Sequence, residues 1–343
     1  MSPRPLKILG APGSPYSRKL RSVLRYRRIP HLWIQRNSRD DCDTPEVPVS
    51  LLPVLVFPGE DGAPDTAAID STPLIRRLES DYPGRSVIPT DPVMAFIDAL
   101  LEDYADEWLT KAMFHYRWAF GADVAKAASV LPFWTRWDVP DQRIAPLAKQ
   151  FSERQIARLW VVGSNETTGP VIEASYRRYL TLLDAHLTRQ PFLMGTRPAS
   201  SDFGAFGQLT QLGLFDPTPA AVTLETAPRV ISWVEVVEDL SGTEPDEAGW
   251  TPRDAVRDTL RALLGEVGRV YAPFLLANAA ALDAGAERVE CEIDGEPWVQ
   301  KPFPYQGKCL ASLRAQHAAL SGADRDAADG ILAGTGCEAL FRA

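Results

Sequence analysis

The residues best suited to chemistry lie near the start of the chain, in the run Gly13-Ser14-Pro15-Tyr16-Ser17 that follows a short apolar segment. An apolar strand, a Gly-Ser-Pro turn and a basic amphipathic run predict a strand-to-helix junction. Ser14 is then the helix N-cap, and Pro15 takes the first helical position. The start of such a helix presents a hydroxyl and free backbone N–H groups at the positive end of the helix dipole. This position favours an anion or a thiolate.

Two further segments follow within the same N-terminal region. The first, 51–57, is an apolar run that contains Leu52-Pro53, and the second, 69–75, begins with Ile69-Asp70-Ser71. In this order and spacing, the three segments resemble the glutathione-binding half of the glutathione S-transferase family. The resemblance covers residues 5–88.

The resemblance implies a role for each matching residue. Ser14 matches the first position of the family's Ser-x-x-Ser or Cys-x-x-Cys turn, and Pro53 matches its cis-proline. The backbone N–H and C=O of Leu52 would then pair with the peptide backbone of glutathione, like an added strand. Asp70 would pair with the glutamyl ammonium of glutathione, and Ser71 would bind the glutamyl carboxylate. Glutathione is thus expected as a co-substrate.

Ser14 is expected to stabilise the glutathione thiolate. Lowering the pKa of a thiol by ~2 units requires about 2.7 kcal/mol. A charge-assisted hydrogen bond supplies ~1.5–3 kcal/mol, and a helix N-terminus adds ~0.3–1 kcal/mol. A serine nucleophile would need a base, and no histidine lies near Ser14 in sequence. Tyr16 and Ser17 are the alternative thiolate contacts, and the lack of cysteine at position 14 argues against reductive thiol transfer.

The predicted fold class is α+β, with a thioredoxin-like N-terminal domain built on a mixed four-stranded sheet, followed by an all-helical domain. Strands are predicted at 5–10, 31–35, 54–57 and 66–69, with helices at 16–28 and 71–81. The predicted domains are 1–88, which binds glutathione, 93–250, which is helical and binds the second substrate, and 251–343, an extension packed on the helical domain.

Beyond the linker at 85–92 the periodicity is helical. Helices are predicted at 94–120, 141–165, 167–189, 202–213 and 227–240. The run Ser200-Ser201-Asp202 resembles the family's capping motif, except that Ala199 stands where a serine or threonine is usual, and Ser200 or Ser201 is expected to substitute. The extension should contain a helix at 254–281, a hairpin at 288–299 around Asp294-Gly295, and helices at 306–320 and 325–332.

The second substrate is expected to contact the helix at 94–120, which carries an aromatic stripe. Trp108, Met113 and Arg117 are the predicted pocket residues, and Arg117 is able to stack on aromatic rings or contact a carboxylate. An aromatic stripe at helical spacing is also typical of a buried core.

Composition excludes several classes of protein. The net charge of −9 argues against nucleic-acid binding, and no apolar run is long enough to cross a membrane. The first residues lack the apolar core of a signal peptide, so a cytoplasmic location is expected. The four cysteines and four histidines are scattered, so neither a metal site nor a disulfide framework is expected. Cys42 lies among three aspartates that disfavour its thiolate, and it is not expected to be catalytic.

The leading interpretation is a glutathione transferase that acts on a small apolar electrophile, as a homodimer. One alternative is a glutathione-transferase-like scaffold or binding protein without catalysis, which the long extension and Ala199 favour. The other is a glutathione-dependent isomerase or lyase, which would use the same thiolate.

Overall fold

A computed structural model describes residues 4–59, 63–134 and 137–342. The N-terminal part is a four-stranded mixed sheet in the order β2-β1-β3-β4, with β1 parallel to β2 and antiparallel to β3. This is the predicted thioredoxin-like arrangement. Its elements are β1 (Leu6–Gly10), α1 (Pro15–Tyr26), β2 (His31–Gln35), β3 (Val54–Phe57), β4 (Thr66–Ile69) and α2 (Ser71–Asp81).

The sheet and its helices form around alternating and periodic apolar residues. Ile8 on β1 and Leu55 on β3 are fully buried, as are Leu20, Val23 and Leu24 on the inner face of α1. Ser14 caps α1, and Pro15 opens the helix without the cost of a missing N–H donor. The apolar faces of α1 and the sheet thus fix the position of the α1 N-terminus.

Most of the helices predicted after the linker at 85–92 are present in the structure. The predicted helix at 94–120 is continuous but has a π-helical segment, Ala105–Leu109, in its middle. The helix predicted at 141–165 ends at Ile156, and a short 3-10 turn follows at Leu159–Val162. The helices of this part are α3 (Pro92–Tyr104), α4 (Thr110–Ala119), α5 (Gly121–Val130), α6 (Asp141–Ile156), α7 (Gly169–Leu187), α8 (Ser200–Leu209), α9 (Pro217–Thr226) and α10 (Pro228–Val237).

The capping of α8 differs from the expectation for its serines. Asp202 accepts from the backbone N–H groups of Ala199 at 2.9 Å and Leu193 at 2.8 Å, so the carboxylate half of the motif is present. The Ser200 hydroxyl instead donates to carboxylates of α3, and Ser201 Oγ is buried without a hydrogen-bond partner among the described residues. The expected substitution of Ser200 or Ser201 for the missing cap hydroxyl is therefore wrong.

The extension adds a helical layer and a hairpin. The predicted hairpin is present, with Asp294 and Gly295 both at positive φ, as the tight turn requires. The predicted helix at 254–281 begins later and contains a π-helical segment, Val267–Tyr271. The elements are α11 (Asp258–Glu266), α12 (Ala272–Asp283), β5 (Val289–Ile293), β6 (Glu296–Gln300), α13 (Pro304–Ala319) and α14 (Gly322–Leu332).

The extension shares its core with the rest of the chain. Trp298 of β6 is completely buried, and its ring lies 5.3 Å from that of Trp108 between ring centroids. Tyr271 and Phe274 contact the same Trp108 ring. Residues from the sheet, the helical part and the extension belong to one continuous apolar cluster, and none of the described helices combines the length and apolarity required to cross a membrane.

Candidate functional site

The register of the sheet brings three predicted segments to one end. Leu9 pairs with Val54, and Val54 pairs with Ile69. The turn that follows β1 carries Ser14, Pro53 directly precedes β3, and Asp70 directly follows β4. The end of the sheet that receives all three segments is the candidate site.

The Ser14 side chain is both a helix cap and a free donor. Its Oγ accepts from the backbone N–H of Ser17 at 3.3 Å. Among the described residues, no acceptor is found for the hydroxyl hydrogen of Ser14, which can therefore point away from the helix toward a ligand. The α1 dipole adds partial positive charge at the same point.

The turn that carries Ser14 is held by hydrogen bonds from distant side chains. Arg18 Nε and Gln211 Nε2 both donate to the Pro12 carbonyl, at 3.1 and 3.0 Å. Arg117 Nη1 donates to the Gly13 carbonyl at 3.0 Å. The turn is therefore fixed from the helical part as well as by its own sequence.

Arg117 differs from its predicted pocket role. It is 4% exposed, and its guanidinium forms a close ion pair with the buried Asp216, with Nε 3.0 Å from both carboxylate oxygens. Its Nη2 also donates to Gln211. Since these partners and Gly13 occupy the guanidinium, Arg117 positions the turn and is not free to bind a substrate carboxylate.

Trp108 and Met113 also lie in the core, not at an open pocket. Trp108 is 1% exposed, and its indole N–H donates to Ser175 at 3.1 Å. Met113 is 6% exposed and belongs to the same apolar cluster. The extension covers this face of the helix with its own aromatic rings, a contact that helical periodicity does not reveal.

Tyr16 and Ser17 are occupied by protein partners. The Tyr16 hydroxyl lies 2.8 Å from the Asp106 carbonyl and 2.9 Å from Thr110 Oγ1. Burial first, and then Glu107 and Asp106, raise the pKa of Tyr16 well above its usual value. Ser17 is fully buried, and its Oγ accepts from the Ala11 N–H. The geometry leaves Ser14 as the best-placed hydroxyl.

An aromatic wall that sequence reasoning missed lies against the turn. A Cβ built on Gly13 would come 2.4 Å from Trp134 and 2.8 Å from Leu131, so only glycine allows this approach. The Trp134 ring lies 5.0 Å from that of Phe215. These side chains give the surroundings of Ser14 an apolar character, but they come from segments without a motif.

At the second and third segments, the backbone has special conformations. The Leu52–Pro53 peptide bond is cis, as the resemblance implies. Asp70 takes φ 77°, in the left-handed region that a non-glycine residue seldom adopts, and its side chain does not cap α2. Ser71 is buried at the first position of α2. The Asp70 carboxylate thus makes no capping hydrogen bond to its own helix.

Beneath the site lies a buried charge cluster that the sequence analysis missed. Lys19 Nζ lies 2.7 Å from Glu102 and 2.5 Å from Asp106, and it donates to Thr72 at 3.0 Å. Arg76 pairs with the other oxygen of Glu102 at 2.8 Å. Burial alone would raise the pKa of Glu102, but Lys19 and Arg76 outweigh burial and lower that pKa to about 2. The cluster joins α1, α2 and α3.

Two further carboxyl groups face the extension. Burial first, and then Asp103 and Asp106, raise the pKa of Glu107 to about 8. Burial raises the pKa of Asp103 to about 7, although Tyr271 donates to it at 2.6 Å. Gln306 of α13 donates to Glu107 at 3.1 Å. The interface therefore favours protonated carboxyl groups.

The raised pKa values of Glu107 and Asp103 predict that the free energy of unfolding falls as pH rises. The folded chain holds a proton on Glu107 up to about pH 8, whereas an unfolded carboxyl releases it near pH 4–5. Stability is therefore lost as pH rises through this window. We expect Glu107→Gln to reduce the loss between pH 5.5 and 8.5 by ~1–3 kcal/mol, measured by urea unfolding. Glu166→Gln, at an exposed site, is the control, and equal slopes in wild type and Glu107→Gln would contradict the assignment.

Within the described ranges, no group of three or more His, Cys, Asp or Glu side chains is arranged to hold a metal ion. All four cysteines are free thiols, and Cys42 is exposed. His31 pairs with Leu6 at the start of β1, the end of the strand opposite the Ser14 turn.

Comparison with known proteins identifies the N-terminal part. The family model for the glutathione S-transferase N-terminal domain matches residues 8–86. No curated protein is found to match the chain. The match includes most of the sheet, the Ser14 turn, Pro53 and Asp70-Ser71.

The chain is also similar to several solved structures. A glutathione S-transferase from Methylobacterium radiotolerans JCM 2831, in complex with glutathione sulfonate, matches at 18% identity and a TM-score of 0.36, over 71% of this chain and 100% of that one. FzlA from C. crescentus matches at 15% identity and a TM-score of 0.45, over 75% and 99%. A glutathione transferase family member from Pseudomonas fluorescens Pf-5, with two glutathione bound, matches at 16% identity and 0.36, over 77% and 94%.

Proposed function

Because residues 8–86 belong to the glutathione S-transferase N-terminal domain family, we propose that this protein binds glutathione and activates its thiol for attack on an apolar electrophile. The observation that carries this proposal is the meeting of Ser14, Pro53 and Asp70-Ser71 at one end of the sheet. A binding site for a tripeptide needs separate groups for its thiol, its backbone and its charged end. These three segments supply them.

In this proposal Ser14 holds the thiolate. Its Oγ accepts from the Ser17 N–H, so its hydrogen donates to sulfur, and the start of α1 adds a favourable dipole. The thiol proton leaves to solvent. The sulfur lone pair then forms a bond to the electrophilic carbon, and the leaving group departs with its electron pair, or an adjacent atom takes up a proton when the reaction is an addition.

The other two segments bind the rest of glutathione. The backbone groups of Leu52, next to Pro53, pair with the backbone of the cysteinyl residue. Ser71, at the start of α2, binds the glutamyl carboxylate through its hydroxyl and N–H. Asp70 binds the glutamyl ammonium, since its carboxylate is not used to cap α2. Trp134 and Leu131, which lie against Gly13, offer an apolar surface to the electrophile.

A second candidate function is glutathione binding without conjugation. The burial of Trp108, Met113 and Arg117 favours it, because none of the predicted pocket residues faces an open cleft. A glutathione-dependent isomerase or lyase would use the same thiolate and electrophile surface. A panel of electrophiles separates a transferase from both alternatives, since only a transferase accumulates glutathione conjugates.

The glutathione site is tested by removing the two side chains that are proposed to bind the charged glutamyl end of glutathione. We expect the double variant Asp70→Ala/Ser71→Ala to bind glutathione at least ~10-fold more weakly, because two or three charge-assisted hydrogen bonds are lost. The measurement is isothermal titration calorimetry on the full chain.

The matched control for this experiment lies on the same helix. Ser80→Ala/Asp81→Ala removes the same pair of side chains at the exposed C-terminal end of α2. It should bind glutathione like wild type. If the Asp70/Ser71 variant is folded and retains wild-type affinity, glutathione does not bind at this end of the sheet.

We also propose that the protein acts in the cytoplasm as a homodimer, as the family resemblance implies. Sedimentation equilibrium of the full chain tests the homodimer. A measured mass of one chain across the micromolar range would contradict it.

A further inference from the structure

The extension contributes a wall to the candidate glutathione site. A cavity of about 600 Å³ lies between α2, the π-helical segment after α3, and α13. Asp70 lies on one side of this cavity, and residues of α13 lie on the other. Its charged and polar lining includes Asp70, Asp103, Asp106, Glu107, Tyr305 and Lys308.

Tyr305 connects the extension to Asp70 directly. Its hydroxyl donates to Asp70 Oδ2 at 2.8 Å. Among the described residues, this is the only hydrogen bond between the extension after residue 250 and the N-terminal residues 4–88. Burial first, and then Asp70, raise the pKa of Tyr305, so the phenol keeps its hydrogen and acts as a donor.

The bond leaves Asp70 able to bind a cation. An ionised carboxylate offers about four lone-pair positions, and the phenol of Tyr305 uses one of them. Asp70 has a strained backbone at φ 77°, and its side chain bonds to Tyr305 instead of capping α2. A hydrogen bond from a residue outside 4–88 therefore orients Asp70.

We propose that Tyr305 is a positioning residue for Asp70, which makes the extension part of the site and sets its preference for ligands with a free α-ammonium group. This inference rests on the proposed function, because the ligand with that group is the glutamyl end of glutathione. Tyr305 fixes the carboxylate oxygen that does not face the ammonium. Ordering Asp70 in advance lowers the entropy cost of binding.

The test compares two ligands with one variant. Glutathione carries the glutamyl ammonium, and deaminated glutathione, glutaryl-cysteinyl-glycine, lacks it. We expect Tyr305→Phe to weaken glutathione binding by about 5–10-fold, because Asp70 loses the partner that orders its carboxylate before the ligand binds, and to leave binding of the deaminated tripeptide unchanged. Calorimetry on the full chain measures both dissociation constants.

Tyr82→Phe is the matched control, since it removes a phenol hydroxyl at the far end of α2. It should bind both ligands like wild type. Equal weakening of both ligands by Tyr305→Phe would show a general structural role and overturn the inference. Unchanged or tighter glutathione binding would overturn it as well.

The outcome for wild type separates the inference from the proposed function. If wild type does not bind glutathione at millimolar concentration, the proposed function and the inference both fail. If wild type binds glutathione and Tyr305→Phe binds it equally well, only the inference fails. Thermal unfolding of each variant confirms that the compared proteins are folded.

Discussion

Replacing Lys19 with methionine is expected to lower the free energy of unfolding by about 3–5 kcal/mol at pH 7. Lys19 and Glu102 are each 1% exposed, and the Lys19 ammonium lies between Glu102 and Asp106. Removing it leaves buried carboxylates without their main partner, which costs more than the ion pair itself contributes. Urea unfolding of wild type and variant measures the difference.

The control for this variant is an exposed lysine. Lys149 pairs with Glu153 at 3.8 Å on the surface of α6, and Lys149→Met should change stability by less than ~0.5 kcal/mol. Wild-type stability at pH 7 in Lys19→Met would show that the cluster is not a buried ion pair.

The lowered pKa of Glu102 also predicts that the folded chain is sensitive to acid. The pKa of Glu102 in the folded chain, about 2, lies below that of an unfolded carboxyl. Its contribution to stability is therefore present above pH ~4–5 and is lost as pH falls toward 2.

Replacing Ser14 with alanine is expected to lower turnover by about 10- to 100-fold. This range corresponds to the loss of one charge-assisted hydrogen bond of ~1.5–3 kcal/mol to the thiolate. The apparent pKa of the rate profile should rise toward that of free glutathione. Ultraviolet absorbance of the bound thiolate near neutral pH measures the same effect without requiring turnover.

Ser14→Thr distinguishes the loss of the hydroxyl donor from a disturbance of the local fold. Threonine keeps both the donor and the N-cap, so its bound thiolate fraction should stay close to that of wild type. Alanine also removes the cap, at a cost of ~1 kcal/mol, so the assays belong well below the unfolding temperature. Equal thiolate fractions in wild type and Ser14→Ala would remove Ser14 from the mechanism.

The parts of the site that sequence predicts are those built from neighbouring residues. The N-cap at Ser14 and the start of α2 at Ser71 depend on a few adjacent residues, so their signals are local. The hairpin around Asp294 is local in the same way. These elements, and the α+β class they imply, are present in the structure.

The parts that sequence did not predict depend on distant contacts. Arg117 reaches Gly13 across 104 positions, and Lys19 reaches Asp106 across 87. In a helical pattern, Lys19 reads as a surface residue and Trp108 as either core or pocket. Only the tertiary structure shows that Lys19 pairs with two buried carboxylates. It also shows that aromatic rings of the extension cover Trp108.

The contact between Asp70 and Tyr305 joins residues 235 positions apart, which matters while the chain is being made. Synthesis proceeds from the N-terminus, and early domains fold before later ones emerge. At ~5–20 residues per second, Asp70 leads Tyr305 by roughly 10–50 s. The candidate site can therefore be closed by α13 only after Tyr305 has been made, late in the synthesis of the chain.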